Sequence, residues 1–395
     1  MIDVKSIIVA EIMPEQKTYV TRLTADAPGA IAVVRLWGPG AVAAADRIFE
    51  PKLATRSLAQ TPPGRPRLGR FAGDEVVALI LPESAGLKNL EVEIQCHGSP
   101  LVVQAIISKL AEVGVEEALP AQFQQAHGVK WLERVAMVHV GRATAPKAVL
   151  LLWQQHEGAL RQGLQAVLNA LVNKRPDEAN SLLARLSATA SWATRLASGF
   201  RVALAGPPNV GKSSLANALA GFERVVVSPE PGTTRDVVDV RLTIGGWPII
   251  LTDTAGLRHE TADPLERAGI SLARQEHARA DLVLKLSEAT AAVYSDDEMA
   301  GLQEPLVVRT KADLVVGSSE MEAGEGLWVS AKTGQGLDEL MTAMVSRLIP
   351  VEFRQESGPV GAILFDIELS NEIQRVWMSD LEEVKKCLRE LLDRE

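Results

Sequence analysis

Cysteine is nearly absent. Cys96 and Cys387 are the only two in 395 residues, far apart and in unlike surroundings. That excludes a disulfide framework and a cysteine-rich zinc site, and it fits a reducing compartment. Long apolar runs are also missing, so no segment reads as a membrane span. The opening stretch MIDVKSIIVAEIMPEQK carries Asp3, Lys5 and Glu11 among its apolar residues and does not read as a signal peptide. The expectation is a soluble cytoplasmic chain with no membrane partner. Positive charge is in deficit: 41 Lys and Arg stand against 50 Asp and Glu, a net charge of −9. The chain as a whole is not an electrostatic nucleic-acid binder, and an RNA partner would need a local basic patch or another subunit. What is present is an ordinary globular balance, 47% hydrophobic and 23% charged, in a length that suggests two or three domains.

Periodicity divides the chain. A buried strand is expected over Ala30–Leu36 and a short helix over AVAAADRIF. Residues 51–70, rich in Pro, Arg and Ser, read as a loop. VVALILP (76–82) and LEVEIQCHG (90–98) read as a strand pair, followed by an amphipathic helix, LVVQAIISKLAEVGV (101–115). Residues 1–117 therefore look like one small α+β domain. From 118 to 197 the pattern is helical, with Leu160, Leu164, Val167, Leu168 and Leu171 on one face and a break at Pro176. A second helix places Leu182, Leu186, Ala190, Ala193 and Leu196 together. Strands and helices alternate from 198 to 350, an α/β pattern. Residues 351–395 are helical again, with Trp377, Leu381, Val384, Leu388 and Leu391 at helical spacing. Either the α/β domain is inserted into a helical domain whose halves pack together, or the two helical pieces are unrelated; each half alone buries little.

RVALAGPPNVGKSSLANAL (201–219) runs from a strand through Gly206-x4-Gly211-Lys212-Ser213 into a helix, which is a P-loop in its required context. Glycines let backbone N–H groups approach phosphate, and the helix N-terminus adds its positive dipole. Asn209, Val210, Gly211, Lys212, Ser213 and Ser214 are the phosphate-side candidates. Among them Lys212 reaches the β- and γ-phosphates and the Ser213 hydroxyl ligates Mg²⁺. A P-loop does not choose between GTP and ATP, but the motifs downstream of it do. LTDTAG (251–256) ends an apolar strand with Asp253, placed for Mg²⁺, and Gly256, whose N–H senses the γ-phosphate. TKAD supplies Thr310, Lys311 and Asp313; the Asp313 carboxylate matches the N1–H and N2–H₂ donors of guanine, a pair adenine lacks. SAK supplies Ser330, Ala331 and Lys332, with the Ala331 N–H toward guanine O6. The stretch SPEPGTTRDVV (228–238) offers Thr233 and Thr234, of which Thr234 is the better placed to complete the Mg²⁺ shell. The base motif usually begins with Asn; Thr310 replaces only part of its bracing. A catalytic Gln is also absent, because Leu257 follows Gly256.

GPPNVGKSSL, PGTTRD, DTAGLR and ERAGI together closely resemble the MnmE (TrmE) tRNA-modification GTPases, and so does the domain order. The resemblance implies a folate-binding-like α+β domain that dimerises and a Ras-like G domain inserted in a helical domain. It implies a K⁺ ion held by Asn209 as two G domains meet in a homodimer, in place of an arginine finger. Glu266 then stands at the family's catalytic acid, beside Lys212 and Gly256; otherwise it is a solvated glutamate at a helix start. The resemblance further implies a flavin-dependent partner subunit, tRNA whose wobble uridine is modified at carbon 5, and a folate derivative as one-carbon donor.

The chain departs from that pattern outside the G domain. The family's terminal Cys-x-Gly-Lys is replaced by KKCLRELLDRE. The family's Gly-Glu-Asp stretch ahead of the E-I-x-C-H-G segment reads GLKNLEVEIQCHG here, so that only Glu93, Cys96, His97 and Gly98 match, and the usual Pro-Gly-Glu-Phe-Thr-x-Arg-Ala-Phe reads PAQFQQAHG (120–128). Cys387 reads as core, and His97 either lines a small pocket or is a satisfied structural histidine. Three functions stay open: a tRNA-modification GTPase, a GTP-controlled RNA- or protein-binding switch that has lost the one-carbon chemistry, or a scaffold that hydrolyses nothing.

Overall fold

The computed structural model describes residues 16–25, 28–52, 57–82, 89–222, 239–253, 279–290, 305–315, 326–354 and 361–394. They form two compact units: Arg134 ends the first, which also includes Arg394, and Val135–Asp393 is the second.

In the first unit the chain makes strands β1 (Tyr19–Arg22) and β2 (Ile31–Trp37), helix α1 (Ala41–Ile48), and strands β3 (Glu50–Pro51), β4 (Pro66–Phe71), β5 (Asp74–Leu81) and β6 (Glu91–His97). Helix α2 (Pro100–Ala111), strand β7 (Glu116–Glu117) and helix α3 (Pro120–Ala126) follow. One seven-stranded sheet results, in the order β3-β4-β5-β6-β2-β1-β7. Period-two alternation decides its faces. Ala32, Val34 and Leu36 of β2 join Val92, Ile94 and Cys96 of β6 against Ala41, Ala45, Ile106 and Leu110 from the two helices. The opposite face carries Arg35, Trp37, Glu91 and Glu93.

The expected strands and helices of this unit are present, and β5 and β6 pair antiparallel. Residues 66–71 are a strand, paired with β5 from Pro66↔Leu79 to Phe71↔Asp74, not loop. Its inward positions are Gly69 and Phe71, so the usual alternation of bulky residues is missing. Glycine is required there: a Cβ at Gly69 would lie 2.4 Å from the Phe49 ring.

The second unit takes in the C-terminal part of α4 (Trp131–Arg142), then α5 (Pro146–His156), α6 (Ala159–Val172) and α7 (Pro176–Ala193). Next come β8 (Phe200–Ala205), α8 (Lys212–Phe222), β9 (Asp239–Ile244), β10 (Trp247–Asp253), β11 (Leu282–Glu288), β12 (Leu306–Thr310), β13 (Leu327–Val329) and α9 (Leu337–Leu348). The chain closes through α10 (Val351–Arg354), α11 (Ile367–Trp377) and α12 (Leu381–Asp393). A six-stranded sheet runs β13-β12-β11-β8-β10-β9, parallel except for β9, so the C-terminal ends of β8, β10, β11, β12 and β13 open on one edge. That edge is where open α/β sheets bind ligands.

Proline starts α7 at its first position, where no N–H is needed. The buried row of α7 runs through Leu183 and Leu186; Leu182 is only half-buried, one position off the expected face. The final helical stretch is two helices, not one continuous face: Trp377 is half-buried and Leu381 exposed. α12 packs on α6, and α11 packs on α7 and α12. Arg161 Nη1 donates to the Leu392 carbonyl at 2.6 Å, and Leu364 N–H donates to Thr189 Oγ1 at 2.9 Å. Cys387 is buried in this packing, as expected of a core residue.

Candidate functional site

β8 is a central strand, apolar and buried except at half-buried Arg201, and it delivers the chain to the open edge of the sheet. There the loop turns at Asn209, whose φ of 63° is a left-handed value that Asn tolerates better than most residues. α8 then starts at Lys212. The Lys212 side chain is buried, and its ammonium donates to the carbonyls of Gly206 and Pro207 at 2.9 Å each. The loop thus wraps around its own cation. Ser213 and Ser214 are exposed in the first turn of α8, where backbone N–H groups have no partner within the helix. In the parallel pairing of β10 with β8, Asp253 stands opposite Leu204, at the same edge.

The ends of β12 and β13 complete that edge. Thr310 is buried; its Oγ1 lies 2.6 Å from the Val210 carbonyl and 3.3 Å from the Ser287 carbonyl. The hydroxyl therefore ties the base-motif strand to the P-loop. The bracing expected to be partial is present on the P-loop side. Lys311 follows in the left-handed region, φ 60°, and pairs with Glu288 at the end of β11. Asp313 is exposed, and its Oδ1 accepts from the Ser330 hydroxyl at 2.6 Å. That bond holds the Asp313 carboxyl below its usual range. Ser330 also accepts from Thr333 N–H at 3.2 Å, which fixes the loop carrying half-buried Ala331 and exposed Lys332. Thr233, Thr234, Gly256, Leu257 and Glu266 lie outside the described residues. Glu288 was not singled out by the sequence; its only signal is an acidic residue ending an apolar strand.

Two family patterns match the chain: the 50S ribosome-binding GTPase over residues 201–315 and the GTP-binding protein TrmE N-terminus over residues 18–127. The tRNA modification GTPase MnmE of Synechococcus sp. (strain RCC307) is 32% identical, covering 80% of this chain and 77% of its own. MnmE of Bradyrhizobium sp. (strain ORS 278) is 33% identical over 84% and 82%, and that of Thermus thermophilus 35% identical over 81% and 80%. The chain belongs to the MnmE family. Among solved structures, the G domain of the T. maritima FeoB iron transporter aligns with 40% of this chain and 99% of its own at 27% identity, with a TM-score of 0.27.

In this MnmE-family chain the first unit carries a polar cluster on its second sheet face. Arg35 donates through Nη1 to Glu91 at 3.0 Å and through Nη2 to Glu93 at 2.6 Å. His127, in the divergent 120–128 stretch, contacts Glu91 through Nε2 at 2.5 Å and the Phe123 carbonyl through Nδ1 at 2.6 Å. Burial pushes the Glu91 carboxyl up, but its bonds to His127 and Arg35 outweigh that and leave it low. Cys96 is buried, with its thiol raised by burial, and contacts the Ala32 carbonyl. His97 is exposed but paired, Nδ1 to Asp74 Oδ1 at 2.7 Å. It is a satisfied histidine at the surface. The sequence singled out neither Arg35 nor Glu91, because their partners arrive from strands and a helix far away in the chain.

Proposed function

We propose that this GTP-binding GTPase of the MnmE family hydrolyses GTP at the open edge of the six-stranded sheet and works in tRNA modification. The observation that supports the site most is the Thr310 bond to the Val210 carbonyl, which joins the base-reading and phosphate-reading motifs. In this reading, backbone N–H groups of residues 209–214 and the Lys212 ammonium hold the phosphates. Asp313, kept ionised by Ser330, reads the guanine N1–H and N2–H₂, and the Ala331 N–H meets O6. Gly256 reports the γ-phosphate, and Glu266 stands as the catalytic acid. Ser213, exposed at the start of α8, and Asp253, at the end of β10, offer the hard oxygen donors Mg²⁺ needs, with Thr234 the third. Asn209 would hold K⁺; both ions supply positive charge against the phosphates.

Residues 198–350 form a G domain inserted between the helical halves 118–197 and 351–395, and residues 1–117 dimerise. The packing of α11 and α12 on α6 and α7 supports the insertion. A homodimer, a flavin-dependent partner subunit and tRNA are the partners this reading requires.

A folate derivative fits the present residues poorly. Glu91 and Glu93 are committed to Arg35 and His127, and the 120–128 stretch holds no Lys or Arg for an acidic tail. This favours, as a second reading, a GTP-controlled switch that keeps the G-domain cycle without the one-carbon chemistry.

The test is GTP hydrolysis by the full chain in KCl against NaCl, with Glu266→Ala alongside. Faster turnover in KCl, lost in the variant, is expected. Slow hydrolysis that ignores both the ion and the substitution would overturn the assignment of Asn209 and Glu266.

A further inference from the structure

β9 and β10 form a hairpin that joins residues 223–238, which hold Thr233 and Thr234, to residues 254–278, which hold Gly256 and Glu266. Its strands pair from Trp247↔Ile244 to Thr252↔Asp239, and its tip is Gly245–Gly246. Both glycines have positive φ, 56° and 86°, as a two-residue turn matched to strand twist demands.

The tip touches the helical part of the same unit. α5 begins with Pro146, its N-cap Ala145 offers no side-chain acceptor, and so its first N–H groups need an outside partner. The Gly246 carbonyl is that partner, accepting from Lys147 N–H at 3.1 Å. The Lys147 ammonium lies 5.9 Å from the centroid of the buried Trp247 ring, a cation–π contact at the first residue of β10. A Cβ at Gly246 would stand 2.9 Å from Lys147 Cγ, so the two segments meet without slack. The other end of α5 is equally engaged. Gln155 is buried there; its Oε1 accepts from Ile363 N–H at 3.3 Å, and its Nε2 donates to the Gly361 carbonyl at 3.4 Å.

We propose that Lys147 is a positioning residue for the GTPase cycle. Through Gly246 and Trp247 it latches the hairpin between the two phosphate-sensing segments to α5, so that nucleotide state and the helical part bias one another. The proposal rests on the reading of the sheet edge as the nucleotide site. Any shift of the hairpin between GDP and GTP changes the capping bond and the ring contact together. Reciprocity then requires that the same contact alter the relative affinity for the two nucleotides.

Two measurements on the full chain test this. Amide exchange at the start of α5 is compared with GDP and with a non-hydrolysable GTP analogue bound, each at saturation shown by fluorescent-nucleotide displacement. About a fivefold difference is expected. In Lys147→Ala the ratio of GTP-analogue to GDP affinity shifts about two- to fivefold, and Lys147→Arg restores it by keeping a cation over the ring. A purely structural role would weaken both nucleotides equally, and that result, or equal exchange in both states, overturns the latch while GTP binding stands. If Lys147→Ala fails to fold, the exchange comparison in the unaltered chain decides. Failure to bind either nucleotide would remove the site reading and the latch with it.

Discussion

Thr310 shows how far a single side chain is decided by its surroundings. At this position a hydroxyl, with one proton to give, replaces a longer amide. Two carbonyls lie in range, and the shorter contact is to Val210. Thr310→Val keeps the shape and removes the donor, leaving the Val210 carbonyl unpaired in a buried place, at a cost of about 1–3 kcal/mol. The expected result is a roughly tenfold loss of nucleotide affinity with the preference for guanine over adenine intact, since the proposed function gives that preference to Asp313. Titration with labelled GDP and ADP measures both; unchanged affinity would mean the brace is not needed. Asp313 and Ser330 were readable from motif spacing as candidates. The Lys311–Glu288 pair was not, because the partner sits on another strand with no pattern of its own.

At the scale of an element, α11 and α12 show why the final helical stretch divides in two. Asp380 is a side-chain cap: its Oδ1 accepts from Glu382 N–H and Glu383 N–H at 2.9 Å each. An Asp followed three residues later by Glu is a helix-start signal, and the stretch SDLEEV carries it. The apolar spacing across the break concealed it. α11 is capped by Asp366, whose Oδ1 accepts from Leu369 N–H and whose Oδ2 meets His139 Nε2 at 3.0 Å. Burial pushes the Asp366 carboxyl up, but the His139 and Leu369 bonds pull it further down, below its ordinary 3.8. A depressed acid stabilises the fold fully above the unfolded value and loses that contribution as pH falls through the folded one. Asp366→Ala should therefore cost about 1–3 kcal/mol at neutral pH. The difference from the unaltered chain should vanish as pH drops below the range of an ordinary Asp. Denaturant melts followed by circular dichroism across pH would show it; a gap that persists in strong acid would contradict this role for the carboxylate.

At the scale of the molecule, the last helices complete a core begun some 200 residues earlier. Leu160, Leu164 and Leu171 of α6 are buried, and α12, which packs against that helix, buries Leu388 and Leu391. Removing residues 355–395 uncovers that apolar face, and each buried leucine contributes about 1.5–3 kcal/mol when covered. The truncated chain should lose helicity beyond the deleted residues or self-associate. Circular dichroism and size-exclusion chromatography would report this; α6 and α7 intact, in the oligomeric state of the unaltered chain, would mean that the two halves do not depend on each other.

The sequence alone determined the P-loop, the order of the GTPase motifs and the alternation of strand and helix around them. These are local matters: glycine spacing, strand period and proline at a helix start act within a few residues. Tertiary structure decided which faces meet. The bonds from Thr310 to Val210, Leu364 to Thr189 and Lys147 to Gly246 join residues about a hundred or more apart in the chain. Gly69 in a strand and Glu91 beneath His127 likewise make sense only beside their neighbours. No periodicity encodes such partners, because burial and hydrogen-bond satisfaction are settled where distant segments are brought together.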